Sequence, residues 1–429
     1  MIYEQTCLPA PQPVGIWPLP AGYLLVAAGS GHSEVCESLV GGRLPEAWPG
    51  GLRYYELALS GDLAGALDAI AGDDPVSLVN RLVLAPSGEL LDEIRAVARG
   101  TLACYAEVVA YAVGLTDTPP RAVAPEAEVD AEVAAMAYAA QATAALAHGD
   151  RRRALEALEA GAQAAMPVSS ALAGQLLGQM ANVQLDEGGT KRASVTFQAA
   201  LGLLEGTDLA VSRAELHVSC AVMHQEMSEA APRLLKTAVD HYLAALRLVT
   251  IDTAPEVFAI ANANLGLAYL SMPMREAGDM LRIAVAVQSM RDALKVFTPD
   301  SHRDRWSSTQ LNLANALVYM PSTHQAENIA EAVQLYEEVL ALRDRCDDPE
   351  GRARVLANQG NALAHLGVFG KAKARLHEAR AIFEEFGQDD AVRGVRSVLD
   401  EIAKQESKWR AGRVVPAGNG AVSGGGPIP

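Results

Sequence analysis

Three histidines that cluster in the middle of the sequence are its most obvious potential metal ligands: His217, His224 and His241. His217 and His224 are seven residues apart, so on a helix they would share one face at a distance of two turns. Metal ligands on a helix are normally three or four residues apart, and a third donor converges on them. The sequence shows no such donor near this pair, and we therefore expect structural histidines and no metal site.

A second group that could do chemistry follows the apolar run GYLLVAA, where Ser30, His32 and Cys36 lie close together in sequence. A serine or cysteine beside a histidine is the arrangement of an activated nucleophile. No further spacing distinguishes this group from a chance cluster, and the five cysteines of the chain form no CxxC pair. We therefore expect no catalytic residues, no cofactor and free thiols.

Composition restricts both the fold and the partners. Half of the 429 residues are hydrophobic but only 5% are aromatic, and much of the apolar content is Ala, which favours closely packed helices. The 35 basic and 52 acidic residues leave a net charge of -17, which repels nucleic acid and anionic lipid. No apolar run approaches the roughly 20 residues that span a bilayer, and no secretion signal is recognisable. We expect a cytoplasmic protein without membrane insertion.

The elements that would position any site repeat along the chain. Three segments, NLGLAY from Asn264, NLANAL from Asn312 and NQGNAL from Asn358, begin 48 and 46 residues apart. Behind each lies an Ala followed by apolar residues at helical spacing. Such key alanines are Ala154, Ala193, Ala238, Ala286, Ala332 and Ala372. Two helices per unit, repeated, predict a solenoid in which each unit buries its apolar face against its neighbours.

Glycines and prolines mark the turns of this array. Gly61, Gly149, Gly188 and Gly367 each precede an Ala by five residues. Glycine at this place supplies the left-handed conformation that ends a helix. Two turns contain Met272-Pro273 and Met320-Pro321 instead, and because proline disfavours helix at the preceding residue, we expect the helices to end there.

These motifs resemble those of the tetratricopeptide repeat (TPR) family, in which a helix with an N-L-G-x-A-Y core precedes one with A-x-x-x-[YF]-x-x-A-L. The resemblance covers about residues 130–400 and, more weakly, 51–75. Its period exceeds the usual 34 residues and is similar to that of long-period arrays in bacterial signalling proteins. The resemblance implies an all-α fold, a TPR-like right-handed superhelical solenoid of antiparallel helix pairs.

We predict five segments along the chain. They are an irregular N-terminal cap at 1–50, a helical region with a TPR-like pair at 51–115, a Pro-rich linker at 116–130, a TPR-like solenoid of about six helix pairs at 131–405, and a disordered Gly/Pro-rich tail at 411–429. Within the cap, GYLLVAA could be a strand or the start of a helix. The sequence does not tell whether the cap folds over a groove.

In TPR proteins the first helices line a concave groove, and the resemblance therefore nominates partner-binding positions on two of them. They are Ser308, Asn315 and Tyr319 on one helix and Arg354, Asn361 and His365 on the next. Asn315 and Asn361 could instead only hydrogen-bond neighbouring helices, and the sequence leaves this open. The positions at which a chaperone-binding branch carries its first Lys hold Ala263, Leu311 and Ala357. The groove is therefore expected to suit a helix or an extended peptide with apolar anchors rather than a carboxylate clamp.

The predicted function is that of a non-enzymatic scaffold or adaptor that holds a segment of a partner protein. The stretch YYELALSGDLAGALDAIAGDDPVSLVNRLVLAP also resembles TPR proteins encoded beside actinobacterial hydrogenases. That resemblance implies assembly or maturation of a multi-subunit enzyme such as a nickel-iron hydrogenase, with its subunits or maturation factors as partners. The alternative is a regulatory TPR module that acts with a separately encoded effector.

Overall fold

The computed structural model describes Leu8 and residues 11–121, 129–229, 231–273, 280–342 and 348–410. The chain divides into two compact units, residues 1–223 and 224–429. The predicted tail at 411–429 and residues 122–128 of the predicted linker at 116–130 lie outside the described residues. The five predicted segment boundaries stay predictions.

The first unit contains ten helices in its described residues. They are α1 (His32–Val40), α2 (Arg53–Leu59), α3 (Leu63–Asp68), α4 (Pro75–Leu84), α5 (Gly88–Val97), α6 (Gly100–Ala112), α7 (Ala131–Ala147), α8 (Arg151–Ala165), α9 (Ser170–Asp186) and α10 (Thr190–Leu204). Helix α11 (Ala210–Glu226) crosses the division between the units.

The second unit continues with eight further helices. They are α12 (Leu234–Leu248), α13 (Pro255–Ser271), α14 (Met280–Ala293), α15 (Arg303–Tyr319), α16 (Gln325–Leu342), α17 (Pro349–His365), α18 (Phe369–Glu385) and α19 (Asp389–Arg410). In the described part of the chain there is no β-strand, so the predicted all-α class is confirmed. No helix in these ranges is both long and apolar enough to cross a membrane.

Consecutive helices pack in antiparallel pairs, the arrangement of TPR-type repeats. In the first unit α7 packs on α8, α8 on α9 and α9 on α10. In the second unit each helix from α12 to α19 packs on the next, and the alternate helices α13, α15, α17 and α19 also contact one another in sequence order. The alternate helices therefore form one layer and their partners a second.

The turns have the conformations that their glycines and prolines predict. Gly61, Gly149, Gly188 and Gly367 have φ angles of +87°, +75°, +77° and +73°. Helix α13 ends at Ser271 and α15 at Tyr319, directly before the two Met-Pro pairs. The key alanines Ala154, Ala193, Ala238, Ala286, Ala332 and Ala372 have no exposed surface at all, so each lies at the centre of a helix contact as the repeat predicts.

Two motif glycines show why small residues are needed at these contacts. A Cβ atom built on Gly266 of α13 would lie 3.0 Å from the carbonyl oxygen of Ala286, and one on Gly360 of α17 would lie 3.2 Å from that of Ala372. The Cβ on Gly360 would also lie 2.7 Å from Cγ of the buried Leu376. The backbones of paired helices therefore approach too closely for a side chain at the motif position.

Substituting Gly360 by alanine should destabilise the protein although alanine favours helix. The new methyl group overpacks the α17–α18 contact, and we expect the free energy of unfolding to fall by about 1–3 kcal/mol. Urea unfolding of the full chain, followed by circular dichroism, measures this. Gly370→Ala is the matched control, since nothing lies within 4 Å of a Cβ there, and it should change stability by less than about 1 kcal/mol. Equal effects of the two substitutions would contradict the close approach.

Candidate functional site

The six predicted groove residues lie on α15 and α17 but do not form one cluster. Ser308 is exposed in the first half of α15, and Tyr319, which is 39% exposed, is its last residue. They are about 16 Å apart along the helix axis at 1.5 Å per residue. Arg354 and His365 likewise lie towards opposite ends of α17. The role of these residues in partner binding stays a prediction.

Asn315 is the centre of a hydrogen-bonded network between three helices. Its Oδ1 accepts from the hydroxyl of Tyr336 on α16 at 2.6 Å and from Nδ2 of Asn358 on α17 at 3.2 Å. Tyr336 is buried, so its hydroxyl depends on a partner inside the protein. Asn315 therefore has the structural role that the sequence left open.

Asn361 is buried rather than open to a groove. Every residue from Val355 to Ala364 is buried, because α17 contacts α15, α16, α18 and α19. The Asn361 amide donates to the Tyr319 hydroxyl at 3.2 Å, while its Oδ1 has no hydrogen-bond partner among the described residues. Arg354 lies 3.9 Å from Glu350, and burial lowers the pKa of His365, which keeps its imidazole neutral at neutral pH.

The group around Cys36 has no nucleophile geometry. The Cys36 thiol donates to the carbonyl of Pro11 at 2.7 Å, and burial raises its pKa to about 12. His32 Nδ1 contacts the carbonyl oxygen of Ala27 at 2.7 Å, so the histidine is bonded to backbone rather than to the thiol. A thiol with so high a pKa is not a thiolate nucleophile at neutral pH.

The histidines of the central cluster are not arranged around a metal. The His224 and His241 rings are stacked, with their centroids 5.6 Å apart, and burial lowers the pKa of both His217 and His224. Within the described ranges, no group of three or more His, Cys, Asp or Glu side chains lies close enough to hold a metal ion.

Residues 11–26 form a segment without α-helix that packs on the helices of the first unit, and we call this segment the N-terminal strap. The strap passes through turns at residues 14–16 and 19–20 and a short 3₁₀ helix at Ala21–Tyr23, and its last residues, 24–26, belong to no helix or strand. GYLLVAA is therefore neither a strand nor the start of an α-helix. The backbone N–H of the strap at Gln12 donates to the buried Glu132 of α7 at 2.8 Å. At Ile16 the carbonyl accepts from Nε2 of Gln175 on α9 at 2.7 Å. The segment predicted as a cap therefore lies across α7 and α9.

Side-chain amides make hydrogen bonds to the main chain of the strap, as the main chain of a neighbouring strand would do in a β-sheet. Asn80 of α4 accepts from the Leu25 N–H at 2.7 Å and donates to the Leu25 carbonyl at 2.9 Å. Gln12 pairs with Val26 in the same way, at 2.9 Å and 3.2 Å. The main-chain groups of Leu25 and Val26 thus hydrogen-bond to amide side chains, as buried polar groups require.

The strap is part of the hydrophobic core of the first unit. Its side chains Val14, Ile16, Leu24, Leu25 and Val26 are at most 2% exposed. At about 1.5–3 kcal/mol for each buried side chain, these five contribute at most about 7–15 kcal/mol. Displacement of the strap would therefore expose five core side chains to water.

Two adjoining cavities lie between the strap and the helices. The larger, about 590 Å³, is mostly apolar and is lined by α6, α7, α9 and the strap; we call it the anchor cavity. The smaller, about 360 Å³, lies between the strap, α9 and α11, and we call it the polar cavity. Gly15, Gln175 and Gln179 line both. Both volumes fall within the range of about 300–1,000 Å³ that ligand sites occupy.

A row of amides on α9 connects the two cavities. Gln175, Gln179 and Asn182 are spaced four and three residues apart and therefore share one helix face. Gln179 and Asn182 are exposed and hydrogen-bond to no other described residue. The sequence motifs did not nominate these residues, although the spacing of three amides on a first helix of a repeat was a signal that could have found them.

The network around Asn315 can be tested by a double-mutant cycle. Asn315→Ala leaves the buried Tyr336 hydroxyl without its acceptor, and we expect the free energy of unfolding to fall by about 1–3 kcal/mol. Tyr336→Phe removes that hydroxyl, so the double variant should lose less than the sum of the single losses, by about 1 kcal/mol. Urea unfolding of the four proteins measures the difference. Additive losses would contradict the assigned network.

Comparison with known proteins finds no matching family model and no matching curated sequence. Among solved structures, the apo form of RapI is 13% identical, with 85% of this chain and 99% of that chain aligned at a TM-score of 0.45. A Rap protein complexed with competence and sporulation factor is 12% identical, with 84% and 98% aligned at 0.38. The TPR domain of P58(IPK) is 15% identical, with 83% and 98% aligned at 0.27.

Proposed function

We propose that this chain is a non-enzymatic interaction scaffold that binds an extended segment of a partner protein across α7, α9 and α11, beside the strap. One contact carries the proposal: the Gln175 amide already donates to a main-chain carbonyl of a segment without α-helix, that of Ile16 in the strap. The main-chain groups of an extended peptide are the same whatever its sequence. The neighbouring Gln179 and Asn182, which have no partner of their own, can bond a second extended chain in this way.

The dimensions of the site fit a short peptide. Gln175 and Asn182 are seven residues apart on α9, which is about 10 Å of helix. An extended chain covers that distance with about three residues at 3.3 Å each. Along the described walls of the two cavities, no hydrogen bond joins a Ser, Thr or Cys to a histidine. The walls therefore favour binding over nucleophilic chemistry.

The α15–α17 surface enters the proposal as a second contact area, since Ser308 and Tyr319 remain exposed there. It is the weaker of the two, because Asn361 is buried and Asn315 is held by Tyr336. The proposal does not extend to a hydrogenase, because no contact or cavity among the described residues points to one.

Filling the anchor cavity should abolish peptide binding. Thr143 is an exposed residue of α7 that lines this cavity, so Thr143→Trp places an indole in the cavity without disturbing the core. On an array of heptapeptides that samples every residue type at each position, the labelled full chain should bind a subset of peptides. We expect the dissociation constants of the strongest binders, measured by fluorescence anisotropy, to rise at least about tenfold in the variant.

Glu159→Trp is the matched control, since Glu159 is exposed on α8 and lines neither cavity. It should bind the same peptides as the wild type. Ser308→Trp tests the second contact area with the same change. If Ser308→Trp abolished binding and Thr143→Trp did not, the site would lie on α15 rather than beside the strap. If no peptide bound with a dissociation constant below about 1 mM, the proposed function would be wrong.

A further inference from the structure

A single unpaired carboxylate lies on the wall of the polar cavity. Glu215 of α11 lines this cavity, is exposed, and has neither a hydrogen bond nor an ion pair to any other described residue. The neighbouring Arg213 forms no ion pair with Glu215 among the described residues; its guanidinium donates to the carbonyl of Thr207 at 3.1 Å. The charge of Glu215 is therefore available to a ligand in the cavity.

No positive side chain balances the acidic groups of the site. Among the described residues that line the two cavities, Glu215 and Asp117 are acidic, and none is Lys or Arg. The whole chain is also acidic, with a net charge of -17. A basic ligand is therefore attracted over long range and finds an uncompensated carboxylate inside the site, whereas an acidic ligand is repelled by both.

The anchor cavity suits a ligand with a large apolar side chain. Its walls include Leu19, Val108, Met136, Leu172 and Leu176 together with the small side chains of α7. A volume of about 590 Å³ with such walls accommodates a large apolar side chain, which gains free energy by leaving water. The two cavities are on either side of α9 and share its Gln175 and Gln179, so one extended ligand can occupy both.

We propose that the partner segment carries a large apolar side chain for the anchor cavity and a Lys or Arg side chain for Glu215, about three residues apart. The spacing follows from the distance of about 8–10 Å between neighbouring helices and the rise of 3.3 Å per extended residue. This inference rests on the proposed function and adds the chemistry of the partner. Charge complementarity, rather than the amide row, selects the segment.

The peptide array tests this inference separately from the proposed function. The peptides that bind the wild type should be enriched in Leu, Met or Phe with Lys or Arg two to four positions away. Glu215→Gln should weaken these peptides by about threefold to tenfold, as expected for loss of one partly exposed ion pair. Glu215→Arg should shift the enrichment to Asp or Glu. Glu159→Gln, the same neutralisation outside the cavities, should leave the binding profile unchanged.

The binding results distinguish a failure of the inference from a failure of the proposed function. Binding without a preference for basic residues, or with a preference that Glu215→Gln leaves intact, overturns the inference and leaves the proposed function standing. Absence of binding to any peptide overturns the proposed function as well. Glu215 has no partner in the described structure, so both of its variants should fold, and unchanged circular dichroism spectra confirm this before binding is measured.

Binding of basic peptides should also weaken as the pH falls. Desolvation raises the pKa of Glu215 in the free chain, and a bound cation lowers it again, so binding releases a proton. Affinity is therefore full above the raised pKa of Glu215 and declines as the pH falls through it, while Lys and Arg stay charged. Asp117 and His148 of the anchor cavity and Arg213 and His217 of α11 are the other charged or titratable groups nearby. Glu215→Gln should abolish the Glu215 part of the decline, and an unchanged decline would assign it to those groups.

Discussion

The close approach of the two helices within each repeat is the constraint on which the rest of the structure depends. Gly266 faces the backbone of Ala286, and Gly360 faces that of Ala372, at distances that leave no room for a Cβ atom. Backbones that approach so closely exclude water along the whole pair, and the large side chains must pack beside the contact rather than within it. The spacing of small residues therefore fixes the spacing of the helices, and with it the layer of alternate helices that can face a ligand.

In the first unit, the strap covers part of the layer formed by the alternate helices. The strap lies across α7 and α9, and its main-chain groups at Leu25, Val26 and Ile16 hydrogen-bond to the side chains of Asn80, Gln12 and Gln175 respectively. An extended chain buried without such partners would lose several kcal/mol for each unpaired group. The same property that holds the strap, amides aimed at main-chain groups, continues along α9 into the cavities. The strap therefore converts an open helix face into a bounded site.

The sequence predicts what depends on neighbours along the chain and misses what depends on distant ones. Left-handed Gly149 and Gly367, the helix ends before the Met-Pro pairs, and the buried alanines all follow from local conformational rules. The strap does not, because its partners Asn80, Glu132 and Gln175 lie 55, 120 and 159 residues away. Asn361 shows the same limit: its motif places it on a helix face, but whether neighbouring helices cover that face is decided by the whole array.

The contacts of the proposed site differ in how well each can distinguish one peptide ligand from another. In the proposed site, main-chain bonds to Gln179 and Asn182 are open to every extended peptide, so they add affinity without distinguishing one peptide sequence from another. An apolar wall separates side chains that differ by one methylene by only about 1–3 kcal/mol. The net charge of the chain speeds the approach of basic partners but acts at every surface, and salt screens it within about 10 Å. A carboxylate at one place on a cavity wall differs from all three, because it favours a cation at one position of the ligand. The strap contributes five side chains to the core, so the proposed site would be formed before a ligand binds, and discrimination among partners would fall to Glu215.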